Sequence, residues 1–138
     1  MSTTQKYTEL ITSFNNTLLN FENSLKIITL QFDVDIVDTL KSGQIQKFEI
    51  TAEIAWKCCK LYSEIKLGES IASPKQVYKL LLVNEVIKED LYLYLLETVD
   101  DRNKLSHIYK EDMYNSIYQN LQKHLTTLQT LYTIINEA

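Results

Sequence analysis

Thirteen of the fourteen basic residues are lysine, and the one arginine, Arg102, stands five positions before His107, one of two histidines. The string around them reads Asp100-Asp101-Arg102-Asn103-Lys104-Leu105-Ser106-His107-Ile108-Tyr109. Within these positions lie an acid, a guanidinium, an amide, a hydroxyl, an imidazole and a phenol. A guanidinium is planar and permanently charged, and its fork of donors matches a phosphate or carboxylate. An imidazole titrates near neutrality and can take or give a proton. Arg102 and His107 are therefore candidates for holding a phosphate or carboxylate and for moving a proton, with Asn103 beside them. Asp101 and Ser106 are the nearest supporting groups, and Tyr109 offers a hydroxyl.

Helical geometry constrains this set. At 100° per residue, Arg102 and Ser106 share one face, and Asn103 and His107 share the adjacent one. Arg102 and His107 then diverge by about 140°. A regular helix does not aim both at one small target. Either the helix unwinds near His107 or two copies of the motif meet across a dimer. The competing reading is structural: aspartates beside an arginine near a helix end often form only a surface ion-pair cluster.

The elements that must position these groups are helices. The chain has two glycines and one proline in 138 residues, too few for the many turns of a sandwich or barrel. Apolar residues at 45% and charged residues at 23% place it among globular rather than disordered chains. Its length predicts one domain spanning 1–138. A net charge of −4 argues against a general nucleic-acid coat protein, though not against a local basic pocket. No apolar run reaches the length of a membrane span, and the N-terminus lacks a signal pattern. Adjacent Cys58 and Cys59 read as reduced core thiols, so a cytoplasmic location is expected. No metal-ligand spacing accompanies them, and no metal or cofactor is expected.

Apolar residues at Tyr7, Leu10, Phe14, Leu18, Phe21, Leu25 and Ile28 trace the seam of a first helix. Asp33 or Asp35 can cap a second, whose seam is Ile45, Phe48, Ala52, Ala55, Cys59 and Tyr62. Gly43 marks a possible bend or fray in it, and Gly68 its end. Ser73-Pro74-Lys75-Gln76 predicts a capping box opening a short helix with Val77, Leu80 and Leu81 inward. That helix breaks at 84–88, and a fourth starts near Glu89 or Asp90. One last long helix carries Tyr118, Leu121, Leu125, Leu128, Tyr132 and Ile135. The expected fold is all-α, an antiparallel up-and-down four-helix bundle with an additional short helix. His124 has no motif around it and receives no role.

The run Asp101-Arg102-Asn103-x-x-Ser106-His107-x-Tyr109 resembles the signature of the HEPN superfamily. More narrowly, it is similar to the nucleotidyltransferase substrate-binding protein family, whose relatives include HepT-type toxins. A second block, Gln46-Lys47-Phe48-Glu49-x-Thr51-x-Glu53-x-x-Trp56-Lys57, resembles that family's second helix, and Ser73-Pro74 falls where its short third helix begins. The resemblance covers roughly residues 5 to 130. Three positions depart from it: Leu95 replaces a usual tryptophan, Asn84-Glu85 a usual glycine turn, and Lys110 a usual acid or amide.

The resemblance implies a metal-independent endoribonuclease acting as a homodimer. Arg102, Asn103 and His107 would be its catalytic set. It also implies that Tyr109 accepts AMP from a partner MNT-type nucleotidyltransferase, which silences the toxin. The alternative is a non-catalytic chain that presents substrate to a nucleotidyltransferase acting as the catalytic subunit. Glu49, Glu53 and Lys57 share a face, read as a solvated strip or as a link to Arg102. Trp56 reads as core or dimer interface rather than a stacking surface.

Overall fold

A computed structural model describes residues 1–27, 31–106 and 111–137. The described residues form six α-helices and no strand. They are α1 (Thr3–Leu25), α2 (Val34–Tyr62), α3 (Pro74–Val83), α4 (Glu89–Lys104), α5 (Glu111–Gln119) and α6 (Leu121–Glu137). The long helices α1, α2, α4 and α6 pack as a bundle. In it α2 touches each of the other three, and α3 and α5 lie against it as short additions. Among the described residues no helix is long and apolar enough to cross a membrane.

The seams behave as the spacing requires. In α1, Phe14, Leu18 and Phe21 are buried, with Tyr7, Leu10 and Leu25 packed around them. Ile28 lies outside the described residues. All six seam residues of α2 are buried, and Phe48 meets Phe21 across the two helices at a centroid distance of 6.1 Å. Asp33 caps α2 by accepting from the Ile36 amide at 3.1 Å. The helix runs through Gly43 without a break. The next residue explains this: Gln44 is buried and donates to the Ser24 carbonyl at 2.7 Å, fastening that turn to α1. Past Tyr62 the helix widens into one π-type turn, Ser63–Leu67. Buried Ser63 donates to the Cys59 carbonyl at 2.8 Å there. Gly68, at φ 68°, then ends it in the left-handed region that glycine tolerates.

Three expectations need correction. Ser73 is the N-cap of α3, but its side chain makes no capping bond, so no capping box forms. The fixed φ of Pro74 and the Val77 amide bonded to the Ser73 carbonyl at 3.0 Å start the helix instead. Tyr78 rather than Leu80 joins Val77 and Leu81 in the core. The last helix is two helices, so the bundle carries two short additions rather than one. The interruption falls at Asn120, whose amide N–H reaches back to Ile117 at 3.0 Å. The Asn120 side chain donates to Asp101 at 3.3 Å, a pull from α4 that a local reading cannot see.

Candidate functional site around Arg102

Arg102 lies in the last turn of α4, where a cation also faces the negative end of the helix dipole. Its side chain is about one-third exposed. As the face geometry requires, one guanidinium nitrogen, Nη1, donates to Ser106 Oγ at 3.0 Å. Nε lies 3.4 Å from a Glu53 carboxylate oxygen on α2, close enough for ion pairing but out of line for a hydrogen bond. Glu53 also pairs with Lys57 at 3.3 Å, one turn along α2. Within the strip on α2, Glu53 therefore links to Arg102, while half-exposed Lys57 pairs with Glu53 as on a solvated face.

Asp101, one residue earlier, points the other way, into the bundle. Its carboxylate lies 2.6 Å from His124 Nε2 on α6. His124 is only 1% exposed, and its ring stacks on Phe48 with centroids 4.7 Å apart. Burial raises the Asp101 pKa. Hydrogen bonds from His124 and Asn120, with the charges of His124 and Lys104, outweigh it and hold the carboxyl below the ordinary aspartate value. His124 Nδ1 has no hydrogen-bond partner among the described residues. The ionised Asp101 carboxylate can only accept, so Nε2 is the donor in this bond.

Adjacent residues thus grip α4 from two sides: Arg102 on α2, Asp101 on α6. Two exposed bridges reinforce the helix, Lys75–Asp100 at 2.7 Å from α3 and Lys123–Glu97 at 2.6 Å from α6. Asn103 is exposed on the last turn. His107 and Tyr109 lie outside the described residues, as does Lys110. The expected divergence between Arg102 and His107 therefore lies outside them too.

Two recesses share Glu53 and Arg102 in their walls. The first, about 220 Å³, is completed by Ala52, Trp56, Pro74, Thr98, Val99 and Asn103. The second, about 350 Å³, is completed by Gln46, Glu49, Ile50 and Ile54. A larger groove of about 770 Å³ runs between the α3–α4 turn, α4 and α6. The hydroxyls of Thr126, Thr127 and Thr130 on its wall are all spent on carbonyls one turn back. Its charged wall residues are Glu85, Lys88, Asp90 and Lys123, without a guanidinium among them. Cys58 and Cys59 are buried free thiols. Burial pushes the Cys58 pKa up to about 12 and that of Cys59 well above its ordinary value, so neither is an activated nucleophile.

A family model described as nucleotidyltransferase substrate binding protein like matches residues 9–137. The chain belongs to this family. Solved structures share the family fold at low identity. A protein from Thermus thermophilus is 23% identical, with 88% of this chain and 98% of that one covered at a TM-score of 0.76. A tri-AMPylated HEPN toxin of Shewanella oneidensis, solved with an MNT antitoxin, is 17% identical over 96% of this chain and 97% of that one, also at 0.76. A toxin–antitoxin complex with AMP-PNP is 15% identical over 94% and 96%, at 0.68. A search of curated proteins gives no match. These likenesses are of fold, and the family's helical bundle is the one described above.

No motif surrounds His124, yet its place in the helix carries a signal. His124 lies three residues after Leu121 and four before Leu128, inside an apolar seam. Asp101 continues the 91–95–98 seam of α4 in the same way. Two ionisable residues in facing seams announce a buried pair.

Proposed function

We propose that the chain is a HEPN-type toxin, a metal-independent endoribonuclease neutralised by a partner MNT-type nucleotidyltransferase. Residues 1–138 act as one unit, paired with a second copy. The observation that carries this reading is Arg102, partly exposed at the end of a helix pinned on both sides, on the walls of two recesses, five residues before His107. The toxin–antitoxin complexes of similar fold support it.

RNA brings its own nucleophile, the 2′-hydroxyl. His107 of one copy takes that proton as the hydroxyl oxygen attacks the adjacent phosphorus. Arg102 holds the phosphate and stabilises the charge developing on its oxygens. His107 of the other copy protonates the departing 5′ oxygen, which leaves a 2′,3′-cyclic phosphate end. Asn103 orients the imidazole or the phosphate. Tyr109 accepts AMP from the partner, and the added phosphate competes with RNA for Arg102.

The test is incubation of the purified protein with RNA in EDTA, beside Arg102→Ala and His107→Ala. Cleavage by the wild type, lost in both variants, is expected. Intact RNA, or variants that cut as well, would sink the proposal. The mass of the chain after incubation with ATP and its nucleotidyltransferase should rise by AMP units and should not rise in Tyr109→Phe. A second reading, a binding subunit that presents substrate to a nucleotidyltransferase, is favoured by the family's description. It predicts intact RNA together with tight nucleotide binding at Arg102.

A further inference from the structure

We propose that the 220 Å³ recess beside Arg102 is a subsite for one unpaired nucleobase of a single-stranded RNA, with Trp56 as its stacking surface. The inference rests on the reading of Arg102 as the group that holds the phosphate. It adds where the neighbouring base goes and why a single strand suits the site better than a duplex.

The walls are of the right kinds. Trp56 is packed partly buried against the core on α2, as expected of a core residue. It also lines this recess, and that second fact revises its reading to a stacking surface. Pro74 gives a second apolar wall at the first position of α3. That wall is tied to α4 by the 2.7 Å bridge from Lys75 to Asp100. Ala52, Thr98 and Val99 are buried and close the floor. The Thr98 hydroxyl donates to the Leu95 carbonyl at 2.6 Å, so the floor presents no proton to a ligand. The polar groups stand at the more exposed side: the Arg102 guanidinium, Glu53 and the Asn103 amide, which can donate and accept to a base edge.

An aromatic surface with a cation beside it is the arrangement that binds single strands, because every base has a π-face and every linkage a phosphate. Size favours a small occupant. About 220 Å³ lies below the roughly 300–1,000 Å³ of sites that hold drug-sized molecules, which suits a single base better than a base pair. Arg102 lines the same recess, so a base stacked on Trp56 leaves its phosphate within the reach of the guanidinium.

Trp56 is the sole tryptophan, so its fluorescence reports this recess alone. The probe is a single-stranded 2′-O-methyl oligonucleotide, which lacks the attacking hydroxyl and stays whole. Its control is an abasic backbone of equal length and charge. The full chain should show saturable quenching with the oligonucleotide and none with the abasic strand. By fluorescence polarisation of a labelled probe, Trp56→Leu should weaken binding roughly 10-fold, and Trp56→Phe by less than about 3-fold. No quenching, equal quenching by the abasic strand, or wild-type affinity in Trp56→Leu would each overturn the subsite. The quenching arm uses wild-type protein, so a folding defect in a variant cannot mask the answer. Base-dependent quenching without RNA cleavage would refute the ribonuclease reading alone. Cleavage without base-dependent quenching would refute the subsite alone.

Discussion

Asp101→Ala should be among the most damaging single changes on α4, although Arg102 beside it is the residue proposed to carry the chemistry. The substitution removes a 2.6 Å bond to His124, a 3.3 Å bond from Asn120 and a 3.5 Å contact with Lys104. Lys104 is half exposed, and its share is small. The Asn120 bond contributes about 1 kcal/mol, and a charged hydrogen bond about 1.5–3 kcal/mol. The sum is about 3 kcal/mol, because His124 at 1% exposure cannot recover a water partner. For a chain of this length that lowers Tm by roughly 10 °C. Urea unfolding followed by far-UV circular dichroism gives the figure directly, with the slope unchanged if only the native state is weakened. A cycle with His124→Leu isolates the pair. The leucine fills the space against Phe48 but leaves Asp101 buried with weaker partners. The double variant should therefore be more stable than the two single losses summed, with a coupling of about 1.5–3 kcal/mol. Additivity within about 0.5 kcal/mol would refute the claim that these groups act as a pair.

Asp101 also sets a pH dependence. Its pKa is lower in the folded chain than in the unfolded one, so its contribution is complete above the unfolded value near 3.8 and fades as pH falls through the folded value. Stability measured from pH 6 down to pH 2 should fall less steeply in Asp101→Asn than in the wild type, and parallel curves would contradict this. Glu85 sits at φ 60° without being glycine, a conformation that costs an L-residue about 1–2 kcal/mol. Glu85→Gly should stabilise the chain by about 0.5 kcal/mol after the added unfolded-state entropy, read as a higher urea midpoint. Glu53→Gln removes the negative charge beside Arg102 and should tighten binding of a 2′-O-methyl oligonucleotide about 3-fold at low salt. It should cost less than about 1 kcal/mol of stability. Arg102→Lys keeps the charge and loses the fork, so RNA cleavage should fall at least about 10-fold while the urea midpoint barely moves.

The bundle was legible because large apolar residues at spacings of three and four leave few other ways to be buried. Phe14, Leu18 and Phe21 on α1 and the six seam residues of α2 are where that pattern puts them. Asp33 and Gly68 were legible because a cap and a left-handed stop act through neighbouring residues. What escaped the sequence acts at a distance. The break at Asn120 has no glycine or proline to announce it, and its side chain answers to Asp101, 19 residues away in sequence. Tyr78 fills core space that spacing assigned to Leu80. At the site, the Arg102–Ser106 face followed from helix geometry alone, whereas the Glu53 partner could only be offered as one of two readings.

On the proposed reading of Arg102, the two grips on α4 explain why a single arginine suffices in a chain that otherwise relies on lysine. Lysine presents a mobile point charge, and its direction matters little. A guanidinium works through direction, and direction needs a fixed backbone beneath it. Asp101 fastens the last turn of α4 to α6 from inside, and Glu53 meets Arg102 from α2 outside. Loosening the inner grip should therefore harm the arginine's function without touching its charge. In Asp101→Asn, which retains an acceptor for His124, RNA binding should weaken at most about 3-fold. In Asp101→Ala, compared at a temperature where both variants are folded, the loss should be larger and should track the coupling measured with His124. Equal binding by the two variants would mean that Arg102 is oriented by Glu53 and Ser106 alone.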